Sequence, residues 1–407
     1  MSQTEISSGI QLLRNPNVRI IFFAYLVTFM GTAMAPIAMA FGVLELTGST
    51  KDASVVIAAP IVATIAILLL GGTFADRSSR HKIIINAELV AMATQFVIAY
   101  LFISGSANVL NLALLMLLNG AAMAFNGPAS SAFITQLVDK DDLQSVNALL
   151  GFARNGAMIG GAALGGILVA WIGAGLTILI DAISFGLSAL LVWTLKPNSQ
   201  IKPEQSSFIQ DLKLGWNEFS SHTWIWVIVV QFSFVVAALE SVFALLGPAV
   251  AKAELGGATD WGIIAGGLAV GTVLGGIIAF KLKPQYPMRL ATICVLFFSL
   301  LPLGLSVPLA LNWIVFLAVI SGIAFEIFGV LWMTTLQKKI PGHLLSRVSA
   351  YDYIGSISLA PLGIVAAGFL YEILGSTQVL VLAALTILIP TLLTLGVKDV
   401  WYMRIDD

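Results

Sequence analysis

Twelve stretches of mostly apolar residues, each about 20 long or more, recur along this chain between short polar segments. They are 17–45, 53–74, 83–104, 110–135, 147–171, 175–195, 223–247, 261–280, 289–308, 312–336, 350–373 and 376–396. Each is long enough to cross the hydrocarbon of a bilayer as a helix rising about 1.5 Å per residue. Only 10% of the residues are charged and 58% are apolar. A soluble domain carries about 25% charge and would need it to cover 407 residues with a polar surface. The predicted fold class is therefore an all-α membrane protein of twelve transmembrane helices. Met1–Gln11 is polar and lacks the zones of a cleaved leader, so the first stretch is expected to stay as a span.

Charge sets the expected orientation. With the N-terminus inside, 17 of the 20 Lys and Arg residues fall in inner segments, among them Arg14, Arg19, Arg77, Arg80, Lys82, Lys338 and Lys339. Only Lys51 and Lys252 fall outside, and Arg154 lies within a span. Positive loops stay in the cytoplasm, so both termini are expected there. Trp171, Trp261 and Trp313 fall at outer ends, and Trp193, Trp224, Trp226 and Trp401 at inner ends, as interfacial belts would place them.

The longest polar stretch between spans is 196–222, which follows the sixth span. This predicts a six-helix half over 1–195, a cytoplasmic linker over 196–222 with an interfacial helix from Phe208 to Phe219, and a second half over 223–407. A shift of 202 residues aligns the halves, matching Gly120 with Gly322, Gly161 with Gly363, Gly166 with Gly368 and Gly173 with Gly375. Repeated helical halves of this kind place a binding site near the bilayer midplane.

Two motifs stand out. After span 2 comes Gly72-Thr73-Phe74-Ala75-Asp76-Arg77-Ser78-Ser79-Arg80. Gly72 permits close helix approach, and Asp76 is an anion able to pair with Arg77 or Arg80. Span 5 carries Gly151, Gly160, Gly161, Gly165 and Gly166, and span 8 carries Gly266, Gly267, Gly271, Gly275 and Gly276. Small residues at this spacing serve either static packing or a contact that slides.

Together these residues resemble the major facilitator superfamily. Gly72, Asp76, Arg77 and Arg80 match its Gly-x-x-x-Asp-Arg-x-x-Arg pattern between spans 2 and 3. The span-5 glycines resemble the antiporter signature of the drug-exporting branch, with Gly161 where a proline is usual. Leu46-Thr47-Gly48-Ser49, Asn126-Gly127-Pro128-Ala129 and Ile180-Asp181-Ala182-Ile183-Ser184-Phe185 resemble the branch of macrolide-efflux proteins and the enterobactin exporter. The resemblance implies alternating access about a cavity lined mainly by spans 1, 4, 7 and 10. It also implies a conformational latch formed by Gly72, Asp76, Arg77 and Arg80 against span 11, which begins with Tyr351 and Asp352.

Charged groups inside a bilayer are costly and are functional candidates by default. Glu326 is the sharpest, near the middle of span 10, with Ala124 as its repeat counterpart. A carboxyl group surrounded by hydrocarbon can exchange a proton near neutral pH, so Glu326 is a candidate for carrying a coupling proton. Arg154 and Glu240 are further coupling candidates. Arg154 would either meet an anionic substrate or pair with Glu88 or Asp352. Asp181 is expected to be structural, and Glu45 and Glu372 to be solvated at outer helix ends. Cavity candidates on the expected lining spans are Phe29, Met30, Asn119, Met123, Asn126, Gln231, Phe234, Phe325 and Trp332. Met and aromatic side chains suit an adaptable apolar pocket.

The chain carries no phosphate-binding loop, serine elbow or metal-ligand spacing, so no cofactor, metal or enzymatic activity is expected. The net charge of −1 gives no footprint for nucleic acid. The expected partners are a small amphipathic molecule, protons and the lipid bilayer, with the protein a monomer in the inner membrane. Efflux of a drug, macrolide or siderophore-like molecule is the leading reading. Uptake or uniport of a metabolite, or a non-transporting sensor or assembly role, stays open, because direction is not written in the residues. Cys294 is the sole cysteine, and it lies within an apolar stretch. Single cysteines introduced at Lys51 and Lys398, with Cys294→Ala as background, test the orientation. A membrane-impermeant maleimide should label position 51 in intact cells and position 398 only after lysis.

Overall fold

A backbone crossing hydrocarbon must satisfy its own N–H and C=O groups, which leaves an open chain only the helix. The computed structural model describes residues 12–70, 79–138, 142–195, 208–307 and 309–404, and every spanning element in it is helical. The first four spans are α1 (Pro16–Thr47), α2 (Thr50–Leu70), α3 (Arg80–Ile103) and α4 (Val109–Leu137). The next stretch, Leu143–Trp193, runs 51 residues. At about 1.5 Å per residue it is more than twice as long as a ~30 Å hydrocarbon core. Gly173 breaks it, at φ 81° and ψ 168°, into α5 (143–172) and α6 (174–193). A linker helix, α7 (Phe208–Ser221), precedes α8 (Thr223–Glu254), α9 (Ala258–Lys281), α10 (Pro287–Leu305), α11 (Leu311–Lys339), α12 (Leu344–Leu374), α13 (Ser376–Leu395) and the short α14 (Lys398–Trp401). Among the described residues, 11 stretches are long and apolar enough to cross a membrane, and the break at Gly173 turns one of them into two crossings.

Contacts divide the chain into two compact units. Unit 1 is Met1–Gly42 with Ala59–Gln205, and unit 2 is Val43–Ala58 with Ser206–Asp407. Lipid tails are as apolar as leucine, so burial alone does not drive one spanning helix onto another. Close approach and polar bonds must do it. In unit 1, α5 lies on α1 through its glycines. A Cβ at Gly161 would stand 2.8 Å from the Ala33 Cβ, and one at Gly165 would stand 2.9 Å from the Met34 Cα. Gly120 seats α4 on the Pro60 backbone of α2, where Thr64 Oγ1 donates to the Gly120 carbonyl at 3.3 Å. Asp181 of α6 is fully buried and accepts from Gln95 Nε2 of α3 at 2.8 Å. Gly31 of α1 leaves room for it, since a Cβ there would lie 2.6 Å from Asp181 Oδ1. Asp181 is thus a structural acid tying three helices. Val18, Ile21, Phe133, Leu137, Val146 and Leu195 complete an apolar cluster in this unit.

Unit 2 repeats the scheme. Gly271 of α9 and Gly322 of α11 meet backbone to backbone, and a Cβ on either would collide with a carbonyl of the other helix. Gly363 of α12 rests on Ala237 of α8, with a built Cβ 2.8 Å from the alanine's own. Gly161 and Gly165 of α5 and Gly267, Gly271 and Gly275 of α9 are therefore packed within their own units. Gly375, 202 residues after Gly173, has φ 87° and ψ 172° and begins α13 as Gly173 begins α6. A non-glycine residue rarely adopts that backbone, so the repeated glycine marks a repeated turn.

The segment Val43–Ala58 is bonded into unit 2. Thr50 Oγ1 donates to the Gly368 carbonyl at 3.0 Å, and Lys252 Nζ donates to the Leu44 carbonyl at 2.6 Å. Glu372 accepts from Ser49 Oγ at 2.6 Å and from the Lys51 N–H at 3.1 Å. It is exposed, as expected, yet it caps the N-terminus of α2. On the linker helix, Trp216 and Phe219 pack on Tyr351, with ring centroids 5.5 and 5.8 Å apart. Two tryptophans depart from the belt expected of them. Trp261 is 1% exposed over Gly247, where any Cβ would overlap its ring, and Trp224 is 5% exposed with its ring edge-on to Trp332 at 5.4 Å. Trp171, Trp193 and Trp313 are exposed as a belt requires.

Gly322→Val places a branched side chain between two backbones. It should destabilise the protein by at least about 1–3 kcal/mol, the usual cost of overpacking. Thermal unfolding in mild detergent measures it, and Gly329→Val, at a glycine with open space around its Cβ, is the control that should change little.

Candidate functional site

Four helices and the start of a fifth converge on one cavity inside unit 1. On α1 the lining residues are Ile21, Tyr25, Thr28, Phe29 and Thr32, which share a face because helix neighbours recur at three and four residues. On α4 they are Met123, Asn126, Gly127 and Ser130, with the same periodicity. Ile84 and Glu88 come from α3, Ser188 and Val192 from α6, and Arg154 from α5. The cavity is partly open and its volume is about 290 Å³. That lies at the small end of ligand pockets, which run from about 300 to 1,000 Å³.

The wall is apolar apart from a few placed polar groups. Glu88 is 4% exposed. Ser188 Oγ donates to its Oε1 at 2.8 Å, while no hydrogen bond reaches Oε2, although the Asn126 side chain approaches the carboxyl group. Asn126 Oδ1 is occupied by Ser130 Oγ at 2.7 Å. The Thr28 and Thr32 hydroxyls are also buried without a partner. Threonine in a helix commonly bonds a carbonyl one turn back, and these two do not. Arg154 is exposed at the same wall, and no carboxylate of the described residues lies within 4 Å of it. The Tyr25 phenol is close enough to Arg154 and Glu88 for both to act on it, and it bonds with Ser130. Its ring tilts against Phe29 at 5.4 Å. Groups of His, Cys, Asp and Glu able to hold a metal ion do not occur among the described residues.

A helical bundle of two repeats with an internal, sparsely polar cavity is the architecture of a small-molecule carrier. The Major Facilitator Superfamily profile matches residues 21–357 of the chain. This chain belongs to the major facilitator superfamily. It is a secondary transporter and not an enzyme. The multidrug efflux pump Tap of Mycobacterium tuberculosis (strain ATCC 25618 / H37Rv) is 25% identical over 382 residues, covering 89% of this chain and 90% of the pump. Tap of Mycolicibacterium fortuitum is 24% identical over 404 residues, covering 95% and 96% respectively. Among solved structures, the nucleoside transporter NupG superposes with a TM-score of 0.74 at 13% identity, covering 95% of this chain and 99% of NupG. At that identity the likeness speaks for the fold alone.

Within this superfamily fold, the residues singled out from sequence scatter. Phe29, Met123, Asn126 and Arg154 line the unit 1 cavity. Met30 lies instead against Gly160 and Gly161, and Asn119 Nδ2 donates to Thr94 Oγ1 at 3.0 Å, joining α4 to α3. In unit 2, Gln231 Nε2 donates to Thr391 Oγ1 at 2.9 Å, and Trp332 Nε1 donates to Asp352 Oδ2 at 2.9 Å. Phe325 sits 5.5 Å from Phe298, and Phe234 is exposed. Glu326 is half-buried, and its Cβ faces Gly275 of α9 at the distance a built Cβ would meet it, 2.9 Å. Glu240 is close enough to Tyr353 for its charge to act on the phenol. Arg154 does not form the ion pair with Glu88 that the sequence offered as one of its roles; Ser188 donates to that carboxylate instead.

Of the latch residues, Gly72, Asp76 and Arg77 lie outside the described residues, and Arg80 is the first residue of α3. Asp352 and Tyr351, the expected counterparts, are engaged by Trp332 and by the linker helix. The span-5 glycines divide: Gly165 and Gly166 are buried, Gly160 has only the Met30 Cε nearby at 3.9 Å, and Gly151 faces open space.

Glu88, Tyr25, Thr28, Thr32, Ser130 and Ser188 were not singled out as cavity residues by sequence. Glu88 carried a usable signal, an acid eight residues inside a span, but it was read only as a partner for Arg154. Ser188→Ala removes the hydroxyl that donates to Glu88 Oε1 in a buried site. It should cost about 1–3 kcal/mol, the penalty of an unsatisfied buried polar group, which equilibrium unfolding in mild detergent measures. Ser188→Thr, which keeps the hydroxyl, should lose less.

Proposed function

We propose that this protein exports an amphipathic small molecule across the inner membrane by alternating access, driven by protons moving inward, with both termini in the cytoplasm. The observation that carries the reading is the unit 1 cavity, an apolar chamber with a buried, half-satisfied carboxyl group. An apolar wall with few polar groups binds amphipathic molecules through surface burial and orients them through those groups. The similarity to the multidrug efflux pump Tap, spread over nearly the full length of both chains, supports export of drug-like molecules. A drug, a macrolide or a siderophore-like compound is the substrate class.

Proton coupling is assigned to acids within the spans. Glu326 is the first candidate, from its mid-span position beside the α9 glycines, and Glu240 is the second. Arg154 stays charged throughout and is a coupling candidate through an anionic substrate or a carboxylate partner. Ion-driven export needs a group that changes charge while shielded from water on one side at a time, and an intramembrane carboxyl group meets that need. Gly72, Asp76, Arg77 and Arg80 are assigned to the latch on the cytoplasmic side, by likeness to the superfamily's loop pattern.

The test is transport into proteoliposomes under an imposed pH step, with a panel of lipophilic cations, macrolides and catecholate siderophores. Wild type should accumulate at least one panel member against its gradient. Glu326→Gln should still equilibrate that compound but no longer concentrate it. Transport by wild type that ignores the pH step would replace proton-driven export with uniport.

A further inference from the structure

Glu88 and Arg154 line one small cavity in unit 1 without forming an ion pair with each other. Glu88 lines the α3 side, its Oε1 held by Ser188, its Oε2 buried and Asn126 beside the carboxyl group. Arg154 lines the α5 side with no carboxylate of the described residues within 4 Å. We infer that this cavity binds a small zwitterion with an apolar tail, its ammonium group at Glu88 and its acid group at Arg154. The inference rests on reading the cavity as the transport site and names the substrate class it takes.

Electrostatic complementarity carries the argument. A ligand with only a cationic head gains Glu88 but brings like charge to Arg154. A ligand with only an anionic head gains Arg154 but leaves Glu88 buried without a counter-charge, which is costly in a low dielectric. A head bearing both charges satisfies both walls. The buried Thr28 and Thr32 hydroxyls lack partners, and hydroxyls can both donate to the acid group and accept from the ammonium. The Tyr25 phenol lies within both fields. The apolar remainder of the lining, Ile21, Phe29, Met123 and Phe133, suits a short aliphatic or aromatic tail. The volume of about 290 Å³ suits a compact charged head with a short tail, as in an amino-acid derivative.

Three probes on one scaffold separate the charges: phenylalanine, 2-phenylethylamine and 3-phenylpropionate. Binding to purified protein in nanodiscs is read by thermal shift across a concentration series, with empty nanodiscs as the partition control. Wild type should bind phenylalanine about tenfold more tightly than either singly charged analogue, the equivalent of one charge-assisted contact. Arg154→Gln should abolish that advantage over 2-phenylethylamine, and Glu88→Gln should abolish it over 3-phenylpropionate. Arg154 is exposed, so its variant is the one expected to fold even if Glu88→Gln does not.

Equal binding of phenylalanine and 2-phenylethylamine, unchanged by Arg154→Gln, would overturn the inference in favour of a simple cation site. So would a loss of stability in both single variants that the double variant restores, since that marks an ion pair formed in another conformation. No binding by any probe, with pH-driven transport of a panel compound intact, would sink this inference and leave the export reading standing.

Discussion

Backbone-to-backbone contact at glycine is the interaction on which the rest of this structure depends. Between apolar helices in lipid there is no water to release, so attraction must come from dispersion at short range and from bonds between polar groups. Gly271 and Gly322 let α9 and α11 touch at their main chains, and Gly161 and Gly165 do the same for α5 and α1. A single methyl group at these places would force the helices apart and weaken every contact along them. The polar bonds work within the spacing that the glycines set. Asp181 can sit beneath α1 because Gly31 has no side chain, and from there it holds Gln95.

The two units obey one backbone plan. Gly173 and Gly375 turn the chain at matching points with nearly the same dihedral angles. Gly120 and Gly322 are likewise 202 residues apart, and each faces the second helix of its own unit. A repeat that keeps its glycines keeps its helix spacing, whatever happens to the side chains around them.

This explains how far the sequence could be read. Span positions were legible because hydrocarbon imposes a length and an apolarity that nothing soluble requires. The repeat was legible because glycine at a backbone contact cannot be replaced. Burial within the bilayer was not legible: Trp261 and Trp224 obey the same hydropathy as an interfacial tryptophan but face protein. The cavity was half legible. Phe29, Met123, Asn126 and Arg154 lie on it, yet Asn119, one helix turn and a fraction from Met123, faces α3 instead. Helical phase decides such cases, and a helix that is apolar all round offers no amphipathic stripe from which to read it.

The units diverge at the positions that line the unit 1 cavity. The repeat shift sets Glu88 against Leu290, Tyr25 against Val227, Thr28 against Val230, and Asn126 and Ser130 against Phe328 and Trp332. In unit 2 these last two belong to an aromatic stack. Phe232 lies on Phe328 at 4.3 Å, Phe328 is parallel to Trp332 at 6.2 Å, and Phe298 meets Phe328 edge-on at 6.5 Å. Large rings fill the equivalent volume in one unit, while small and polar residues leave it open in the other. Close packing of that aromatic kind resists deformation. Two copies of one backbone therefore differ in residue volume and polarity at a few matched positions, closed by rings in unit 2 and open in unit 1.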